Sequence, residues 1–349
     1  MPVIQHNPLR QFSCGIFKAA GIPEDDARII SDHLVDSNLA GHPSHGVWCV
    51  PGYVDIMREN YVRWDERDVL RETACLAVVD CKGGNGIVAV SRSIDIAIEK
   101  ARRSTFGFVG LHNTTHICRL GDYPPRFAEQ GMIGMVWLNG GGLFMTPNGS
   151  ADRRLCPEPI SFGAPRRNGA PFMLDMTMTT VAGGKIEQKI VHGEPLPENW
   201  MIDQQGNSVS DTTEWHKPDT ETGVPPLGWP QFGHKGAGLA MMVEMLVGPL
   251  SHAGCTKGPN KGGQGVMVLA IDIEAFTDLD TYKDEVEGLA EWVCSARPLP
   301  GVERIYAPGE IEDETRQGKL RDGIEIPQPT WEKICATAAT LGVELPEGF

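Results

Sequence analysis

A repeated change of hydrophobic spacing after residue 74 limits this chain to a layered α/β architecture. Residues 75–79 form a short, continuous apolar run, which is typical of a buried strand. Apolar residues between 87 and 103 then recur at helical spacing. The alternation continues with a strand at 106–111, a helix at 123–129 and a strand at 132–138. Strands that alternate with helices in this way predict a sheet covered by helical layers.

The remaining patterns divide the chain into a central domain and two helical ends. Pro23 followed by three acidic residues marks a helix start near the N-terminus. We predict a helical N-terminal part at 1–73, an α/β cofactor-binding domain at 74–272, and a C-terminal part at 273–349 that packs with the N-terminal helices. Within the central domain the patterns predict strands at 160–164, 172–175 and 266–271 and helices at 180–190 and 235–247.

Composition excludes several classes of partner. The formal net charge is −15 and the chain contains no basic run, so we expect no nucleic-acid binding. The longest apolar stretch, Leu239 to Leu250, is too short to span a bilayer and includes Glu244, so we expect no membrane segment. Nine cysteines without a C-x-x-C pair indicate reduced thiols, which predicts a cytoplasmic protein.

Three loop-like segments concentrate reactive side chains, at residues 41–46, 112–119 and 233–236. The first two contain the histidine pairs His42/His45 and His112/His116. Imidazole suits proton transfer because its ordinary pKa is close to neutral pH. His116 is the strongest candidate for an acid–base group, because an arginine follows it three residues later in a small, polar loop.

The same histidines also allow a second class of site, and other known motifs are absent. The spacings of three in His42/His45 and four in His112/His116 also suit metal ligands, so a metal-dependent hydrolase or lyase is the alternative reading. No H-E-x-x-H or G-x-S-x-G motif is present. The chain also lacks the G-x-G-x-x-G and P-loop fingerprints, so pattern alone reveals no dinucleotide site and disfavours a Rossmann domain.

Five collinear motifs together resemble the malate/L-lactate dehydrogenase family of the second type. They are SHG at Ser44–Gly46, HNTTHICRLGDY at His112–Tyr123, LDMTMTTVAGGKI at Leu174–Ile186, PLGWPQFGHKGAGLAMMVEML at Pro226–Leu246 and APGEIEDETR at Ala307–Arg316. The resemblance extends over nearly the whole chain. The form HICRLG with a later HKG is most similar to the hydroxycarboxylate dehydrogenase B subgroup.

The resemblance implies a fold and a reaction. The fold would be a three-layer α/β/α, non-Rossmann nicotinamide-binding domain with a helical domain formed from both chain ends, assembled as a homodimer with active sites near the subunit interface. The reaction would be hydride transfer between NAD or NADP and a small-molecule 2-hydroxy acid/2-oxo acid pair of the malate, lactate or aryl-lactate type. The missing glycine fingerprint then reflects a different cofactor-binding fold.

The resemblance also implies roles for individual residues. His116 matches the general acid/base of the family, and His45 matches a histidine that lines the nicotinamide and substrate site. Arg119, Ser44 and Tyr53 are candidate substrate contacts, since a guanidinium can bind a carboxylate through two hydrogen bonds. Cofactor contacts are expected at His45, Arg119, Leu120, Asp175, Met176, Thr177, His234, Lys235, Gly309 and Glu310.

The sequence departs from the family pattern at two positions. Cys49 stands where many members carry an arginine, and Glu158 stands where a neutral amide is usual. An inactive, ligand-binding member of the same fold is therefore a further alternative. Trp48, Tyr53 and Trp137 are candidates for an apolar pocket that would accept a larger substrate side chain.

Overall fold

The computed structural model describes residues 1–217, 220–258 and 263–345. Within these ranges the strands are β1 (Val3–Ile4), β2 (Asp68–Glu72), β3 (Leu76–Asp80), β4 (Phe106–Thr114), β5 (Met132–Asn139), β6 (Ile160–Ala164), β7 (Phe172–Met176), β8 (Gln264–Asp272) and β9 (Ile324–Glu325). The helices are α1 (His6–Ala19), α2 (Glu24–Leu39), α3 (Val50–Asn60), α4 (Gly86–Ser104), α5 (Pro124–Ala128), α6 (Gly183–His192), α7 (Gly233–Val247), α8 (Leu279–Cys294), α9 (Glu310–Asp322) and α10 (Gln328–Thr340).

Seven strands form one mixed sheet in the order β2-β3-β4-β8-β5-β6-β7. Only the β3–β4 pair is parallel among the described strand pairs, and α4 is the crossover between its members. The other neighbours are antiparallel. A Rossmann sheet is mostly parallel, so this topology agrees with the expectation of a different nucleotide-binding fold.

Helices cover both faces of this sheet because side chains alternate along its strands. On one face, Val266 and Val268 of β8 join the core beneath α4. The residue between them, Met267, points to the other face and packs against Val243 and Val247 of α7. The three-layer α/β/α prediction is therefore confirmed.

A close approach fixes α4 against the sheet. A Cβ atom on Gly107 of β4 would lie 1.8 Å from the Ala97 carbonyl oxygen, so only glycine allows this packing. The helix begins where Asn85 accepts a hydrogen bond from the Val88 amide at 3.2 Å, which caps the first turn. This arrangement places the loop after β4 beside the start of α4.

Both chain ends contribute to the helical part. Leu9 of α1, Ile30 and Leu34 of α2, and Ile334 of α10 share one core. Strands β1 and β9 pair antiparallel, with Val3 opposite Glu325. The predicted helical domain built from the two ends is confirmed, whereas the exact boundaries at 73/74 and 272/273 stay a prediction, and residues 346–349 of the last part lie outside the described residues.

The sequence patterns located most elements but not all. Helix α6 begins three residues after the predicted start at 180, and α7 begins two residues before the predicted start at 235. Strand β2 was not predicted, because all five of its residues are exposed and its sequence lacks the buried/exposed alternation of a core strand. None of the helices in the described part is long and apolar enough to cross a membrane.

Candidate active site

A large cavity of about 940 Å³ lies where the helical part meets the sheet. Its walls include the 3-10 turns Pro43–His45 and Val47–Cys49, the segment after β4, the end of β7, and α6. Eight of the predicted site residues line it: Ser44, His45, His116, Arg119, Leu120, Asp175, Met176 and Thr177. The fold thus brings three separate sequence motifs together around one space.

The turn that holds His45 at the cavity has no room for a side chain at the following residue, Gly46. A Cβ atom on Gly46 would lie 1.9 Å from Oδ1 of Asn38 in α2. That oxygen accepts a hydrogen bond from the Val47 amide at 2.7 Å, which attaches the turn to the helix. Ser44 Oγ lies 3.1 Å from Nδ1 of His45 and fixes the orientation of the ring.

His116 follows β4 and faces His45 across the cavity, with 5.7 Å between the ring centroids. Tyr53 of α3 places its hydroxyl 2.8 Å from Nδ1 of His116. Gly86, the first residue of α4, lies beneath this loop, since a Cβ atom there would be 2.4 Å from the Thr115 carbonyl oxygen. Tyr53 is 7% exposed and is not part of the cavity wall, so it contacts His116 from behind.

Both histidines of the large cavity are neutral at physiological pH. Burial, and then the neighbouring His116, lower the pKa of His45 to about 3. Burial, and then the positive charge of His33, lower the pKa of His116 to about 4. The ordinary value is about 6.5. A neutral imidazole has one nitrogen with a free lone pair and can therefore accept a proton.

Arg119 is a buried cation, only 6% exposed. Its Nε lies 4.0 Å from Oδ2 of Asp175, and that oxygen accepts a hydrogen bond from the Gly121 amide at 2.7 Å. A Cβ atom on Gly121 would lie 2.8 Å from Nη2 of Arg119, so glycine makes room for the guanidinium. Among the described residues, Nε of Arg119 has no hydrogen-bond acceptor. A buried donor of this kind suits an anionic ligand.

Arg119 also borders a second, smaller cavity of about 530 Å³. Gly309, at the start of α9, lines this small cavity, where a Cβ atom would lie 3.1 Å from the Met173 amide nitrogen. Its neighbour Glu310 accepts a hydrogen bond from Nη1 of Arg166 at 3.1 Å. Arg119 therefore lines both cavities and separates them.

His234 and Lys235 lie apart from both cavities. They occupy the first turn of α7, and neither is among the residues that line the large or the small cavity. Nζ of Lys235 lies 4.8 Å from the centre of the Phe232 ring, which is 56% exposed. Within a single subunit, the fold does not bring this motif to His116.

The sequence did not point to several residues of the large cavity. Lys185 and Glu187 of α6 line it, as do the aromatic side chains of Phe144 and Trp215. Lys185 stands in the AGGKI motif, so its position in that motif was the one available signal. Of the residues suggested for an apolar pocket, Trp48 lines the cavity, whereas Trp137 faces the other side of the sheet and packs against α7. The suggestion for Trp137 was therefore wrong.

The two departures from the family pattern differ in their exposure to the cavity. Cys49 lines it, and its thiol lies 3.8 Å from the Ser44 carbonyl oxygen and occupies part of the wall. Glu158 is completely buried with a positive φ of 44°, whereas Pro157 and Pro159 on either side of it line the cavity. Only Cys49 is therefore in a position to touch a ligand directly.

The four histidines of the metal alternative do not form one cluster. Nε2 of His42 lies 3.7 Å from a carboxylate oxygen of Glu312. Nε2 of His112 lies 3.7 Å from Asp80, and its ring is 5.9 Å from that of His252. Across residues 1–217, 220–258 and 263–345, no group of three or more metal-ligating side chains is arranged to hold an ion. The geometry does not favour the metal-dependent alternative.

Comparison with known proteins identifies the family of this fold. The family model described as malate/L-lactate dehydrogenase matches residues 4–335. Malate dehydrogenase from Pyrococcus horikoshii is 34% identical over 96% of this chain and 94% of its own length. Hydroxycarboxylate dehydrogenase B from Escherichia coli is 29% identical over 96% of this chain and 93% of its own length. These relatives match the chain from end to end.

A solved structure agrees with the sequence comparisons. The crystal structure of malate dehydrogenase from Entamoeba histolytica superposes with a TM-score of 0.93, covers 99% of both chains, and is 26% identical in sequence. The similarity therefore includes the helical part formed by the chain ends as well as the central sheet.

Proposed function

The chain belongs to the malate/L-lactate dehydrogenase family, and from that membership we propose that it transfers a hydride between a nicotinamide cofactor and a 2-hydroxy acid/2-oxo acid pair of the malate, lactate or aryl-lactate type. One observation carries this proposal: a neutral histidine supported by a tyrosine, His116 with Tyr53, shares a cavity with the buried cation Arg119. A hydroxy acid needs both a base for its hydroxyl proton and a partner for its carboxylate.

His116 is the proposed acid–base group. A bound nicotinamide cofactor would supply the hydride acceptor in its oxidised form, NAD⁺ or NADP⁺, and the hydride donor in its reduced form, NADH or NADPH. During oxidation the neutral ring of His116 takes the hydroxyl proton, and during reduction the protonated ring returns it to the carbonyl oxygen. Such help typically raises a rate by about 10²–10⁴. His45 faces His116 at 5.7 Å between ring centroids and would complete the wall around the reacting carbon.

Arg119 is the proposed partner of the substrate carboxylate. Its guanidinium is buried, and its Nε lacks a hydrogen-bond acceptor among the described residues, so it is prepared for an anion. A planar guanidinium binds a carboxylate through two parallel hydrogen bonds, which also orients the substrate. Ser44, beside His45 in the cavity wall, is a further proposed substrate contact.

The large cavity is also the proposed site of the nicotinamide. We expect the nicotinamide end beside His45, Leu120, Asp175, Met176 and Thr177, all of which line the large cavity. Because Arg119 borders both cavities, the rest of the molecule would extend past it to the small cavity and Gly309. Contacts from His234, Lys235 and Glu310 stay predictions, since these three residues lie outside both cavity walls.

A homodimer is the proposed assembly. Helix α7 exposes apolar side chains along one face, among them Met241 (55%), Met245 (60%) and, just beyond its end, Leu250 (57%). Contiguous exposed apolar surface is typical of an interface, and we propose that a second copy of this chain covers it. Light scattering of the purified protein tests the assembly: a dimeric mass is expected, and Met245→Glu should shift it toward the monomer.

We further propose that the protein works in the reducing environment of the cytoplasm. None of the nine cysteines, all of which lie in the described ranges, forms a disulfide with another. Structural disulfides are the usual choice in oxidising compartments, so a chain with nine cysteines and no disulfide among them favours a reducing one.

The test of the proposed function is a substrate panel. Oxidation of NADH and NADPH is followed at 340 nm with malate-, lactate- and aryl-lactate-type 2-oxo acids, with His116→Ala as the comparison. We expect turnover with at least one acid, and a loss in His116→Ala of about 10²-fold or more with cofactor binding retained. Absence of turnover with every acid would instead favour an inactive ligand-binding protein, and a stoichiometric metal required for activity would contradict the proposed reaction.

A further inference from the structure

A pair of aromatic rings lies on the wall of the large cavity. Phe144 and Trp215 both line this cavity, and their ring centroids are 5.1 Å apart at an interplanar angle of 58°. Neither residue lines the small cavity, toward which the proposed cofactor extends. The proposed hydride transfer assigns no role to these two rings, although they face the space in which it would take place.

Glycines lie beside the rings and leave room there. A Cβ atom on Gly142 would lie 3.6 Å from Cδ1 of Phe144. A Cβ atom on Gly183, the first residue of α6, would lie 3.2 Å from Cζ of Phe144 and 3.4 Å from Cζ2 of Trp215. Both glycines line the large cavity. A side chain at either position would occupy the space beside the rings, so glycine keeps the aromatic surface open to the cavity.

Polar contacts hold Trp215 in a defined orientation. Its indole nitrogen donates a hydrogen bond to Oε1 of Glu187 at 2.6 Å. Cζ of Arg153 lies 5.2 Å from the centre of the indole ring, and Nη1 of the same arginine donates to the Trp215 carbonyl oxygen at 3.1 Å. A ring that is already ordered loses little further freedom when a ligand packs against it, and this favours binding.

The start of α6 places the two rings close to the proposed reaction centre. A Cβ atom on Gly183 would meet the rings, whereas one on the next residue, Gly184, would lie 3.1 Å from Oγ of Ser44 and 3.4 Å from Cε1 of His45. Consecutive Cα atoms are only about 3.8 Å apart. An acid whose reacting carbon lies beside His45 can therefore reach the rings with its side chain.

The cavity wall offers few cations to a second carboxylate. Among the described residues, the lysines and arginines that line the large cavity are Arg119 and Lys185. Arg119 is the proposed partner of the carboxylate next to the reacting carbon. The side chain of Lys185 is exposed to solvent, where a single ion pair contributes little. The wall therefore suits an acid with one carboxylate and an apolar side chain better than a dicarboxylic acid.

We propose that Phe144 and Trp215 form a subsite for the substrate side chain, and that the substrate is a 2-hydroxy or 2-oxo acid with an aromatic side chain. The proposal rests on the proposed function and deepens it, because it selects one of the acid types named there. Contacts between aromatic rings are favourable beyond the burial of apolar area, so the subsite distinguishes an aromatic side chain from a methyl group. Loss of the subsite should change the choice of acid rather than the chemistry.

The test compares Trp215→Leu with a matched control, Trp200→Leu. Trp200 packs against the same hydrophobic core as Phe144 but lines neither cavity. Reduction of phenylpyruvate, pyruvate and oxaloacetate is measured with NADH and NADPH, and the cofactor Kd is measured separately. The readout is the ratio of kcat/KM for phenylpyruvate to kcat/KM for pyruvate. Because this ratio does not depend on the fraction of enzyme that is folded, it separates specificity from general destabilisation.

We expect the wild type to favour phenylpyruvate over the other two acids by about tenfold or more, because a buried phenyl ring gains at least this factor. Trp215→Leu should lower the ratio by about threefold to tenfold, since the contact between rings is lost. Trp200→Leu should leave the ratio unchanged. Phe144→Leu should lower it in the same way as Trp215→Leu, and it serves if that variant does not fold.

A wild-type preference for pyruvate or oxaloacetate would overturn the proposal, and so would an unchanged ratio in a folded Trp215→Leu or Phe144→Leu protein. If Trp215→Leu instead weakens only cofactor binding, the rings hold the nicotinamide and the proposal is wrong.

If the wild type reduces no acid, the proposed function fails, but calorimetric titration with phenyllactate and lactate still decides the subsite. Tighter binding of phenyllactate that is lost in Trp215→Leu would support it, whereas equal or absent binding of the two acids would contradict it.

Discussion

Removal of a single oxygen atom, in Tyr53→Phe, tests how His116 is prepared for catalysis. The hydroxyl of Tyr53 lies 2.8 Å from Nδ1 of His116, and the phenylalanine ring can occupy the same position in α3. The substitution therefore leaves the cavity wall intact and deletes only the hydrogen bond. We expect turnover to fall while cofactor binding is unchanged.

The size of the loss follows from the change of charge on His116 during the reaction. A hydrogen bond between neutral groups contributes about 1 kcal/mol, and one to an ionised group about twice that. In the proposed oxidation His116 starts neutral and gains a proton in the transition state, so the bond to Tyr53 should strengthen there by about 1–2 kcal/mol. Since about 1.4 kcal/mol corresponds to tenfold in rate, kcat should fall by about 5- to 30-fold.

The assay is steady-state oxidation of the best hydroxy acid from the panel, with kcat, KM and the cofactor Kd measured separately. Tyr61→Phe is the matched control. Its hydroxyl donates a hydrogen bond to Asp26 at 2.6 Å, but Tyr61 is not part of the large cavity wall. The control loses the hydrogen-bonded hydroxyl of a half-buried tyrosine, so it reports any effect of general destabilisation on turnover.

One pattern of results would refute the reasoning. If Tyr53→Phe folds normally and its kcat stays within about twofold of wild type, the hydrogen bond does not strengthen as the proton moves. A rise in KM with kcat unchanged would mean that Tyr53 contributes to substrate binding rather than to the orientation of His116.

The remaining predictions concern the substrate cation, the loop beneath His116 and the effect of acid. Arg119→Lys should raise KM for the acid by about tenfold, because the lysine keeps the charge but loses the second hydrogen bond; an unchanged KM would remove Arg119 from substrate binding. Gly86→Ala should lower both kcat and thermal stability, the latter by about 1–3 kcal/mol, since its Cβ would meet a backbone oxygen; equal melting temperatures would contradict this. The pKa values of about 3 for His45 and about 4 for His116 predict that the free energy of unfolding in urea is highest above the ordinary pKa of histidine. It should fall as the pH drops from about 6.5 toward 4, because the unfolded chain takes up protons that the folded one does not. The His45→Asn variant should show a shallower fall.

Hydrophobic spacing predicted the elements of the fold better than their arrangement. Helix α4 was recognised because its apolar residues recur at helical spacing over many turns, and the start of α2 was recognised from Pro23 and the acidic residues that follow it. The position of β8 between β4 and β5 could not be predicted in the same way. That pairing joins residues more than a hundred positions apart, as in Gly110 opposite Met267, and spacing within one strand does not specify its distant neighbour.

The same contrast applies to the site. His116 and Arg119 were singled out because they stand together in one loop, and the structure places both on the wall of the large cavity. The buried ion pair of His33 and Asp122, 2.9 Å apart, was missed, although His33 stands three residues after Ile30 and hence on the buried face of α2. A histidine at an apolar helical position was a signal that a charge is buried there. Its partner, Asp122, lies too far along the chain for the spacing to reveal.

The charges around the large cavity bear on the direction of the proposed reaction. His116 is neutral in the free protein, whereas Arg119 on the cavity wall and His33 behind it are positive. In the proposed oxidation the base is therefore ready before the substrate binds, and the carboxylate meets a cation that is already desolvated. Reduction needs a protonated His116, and the like charge of His33 opposes that proton. The negative charge of a bound 2-oxo acid opposes His33 in turn, so binding of the acid and uptake of a proton by His116 should favour each other.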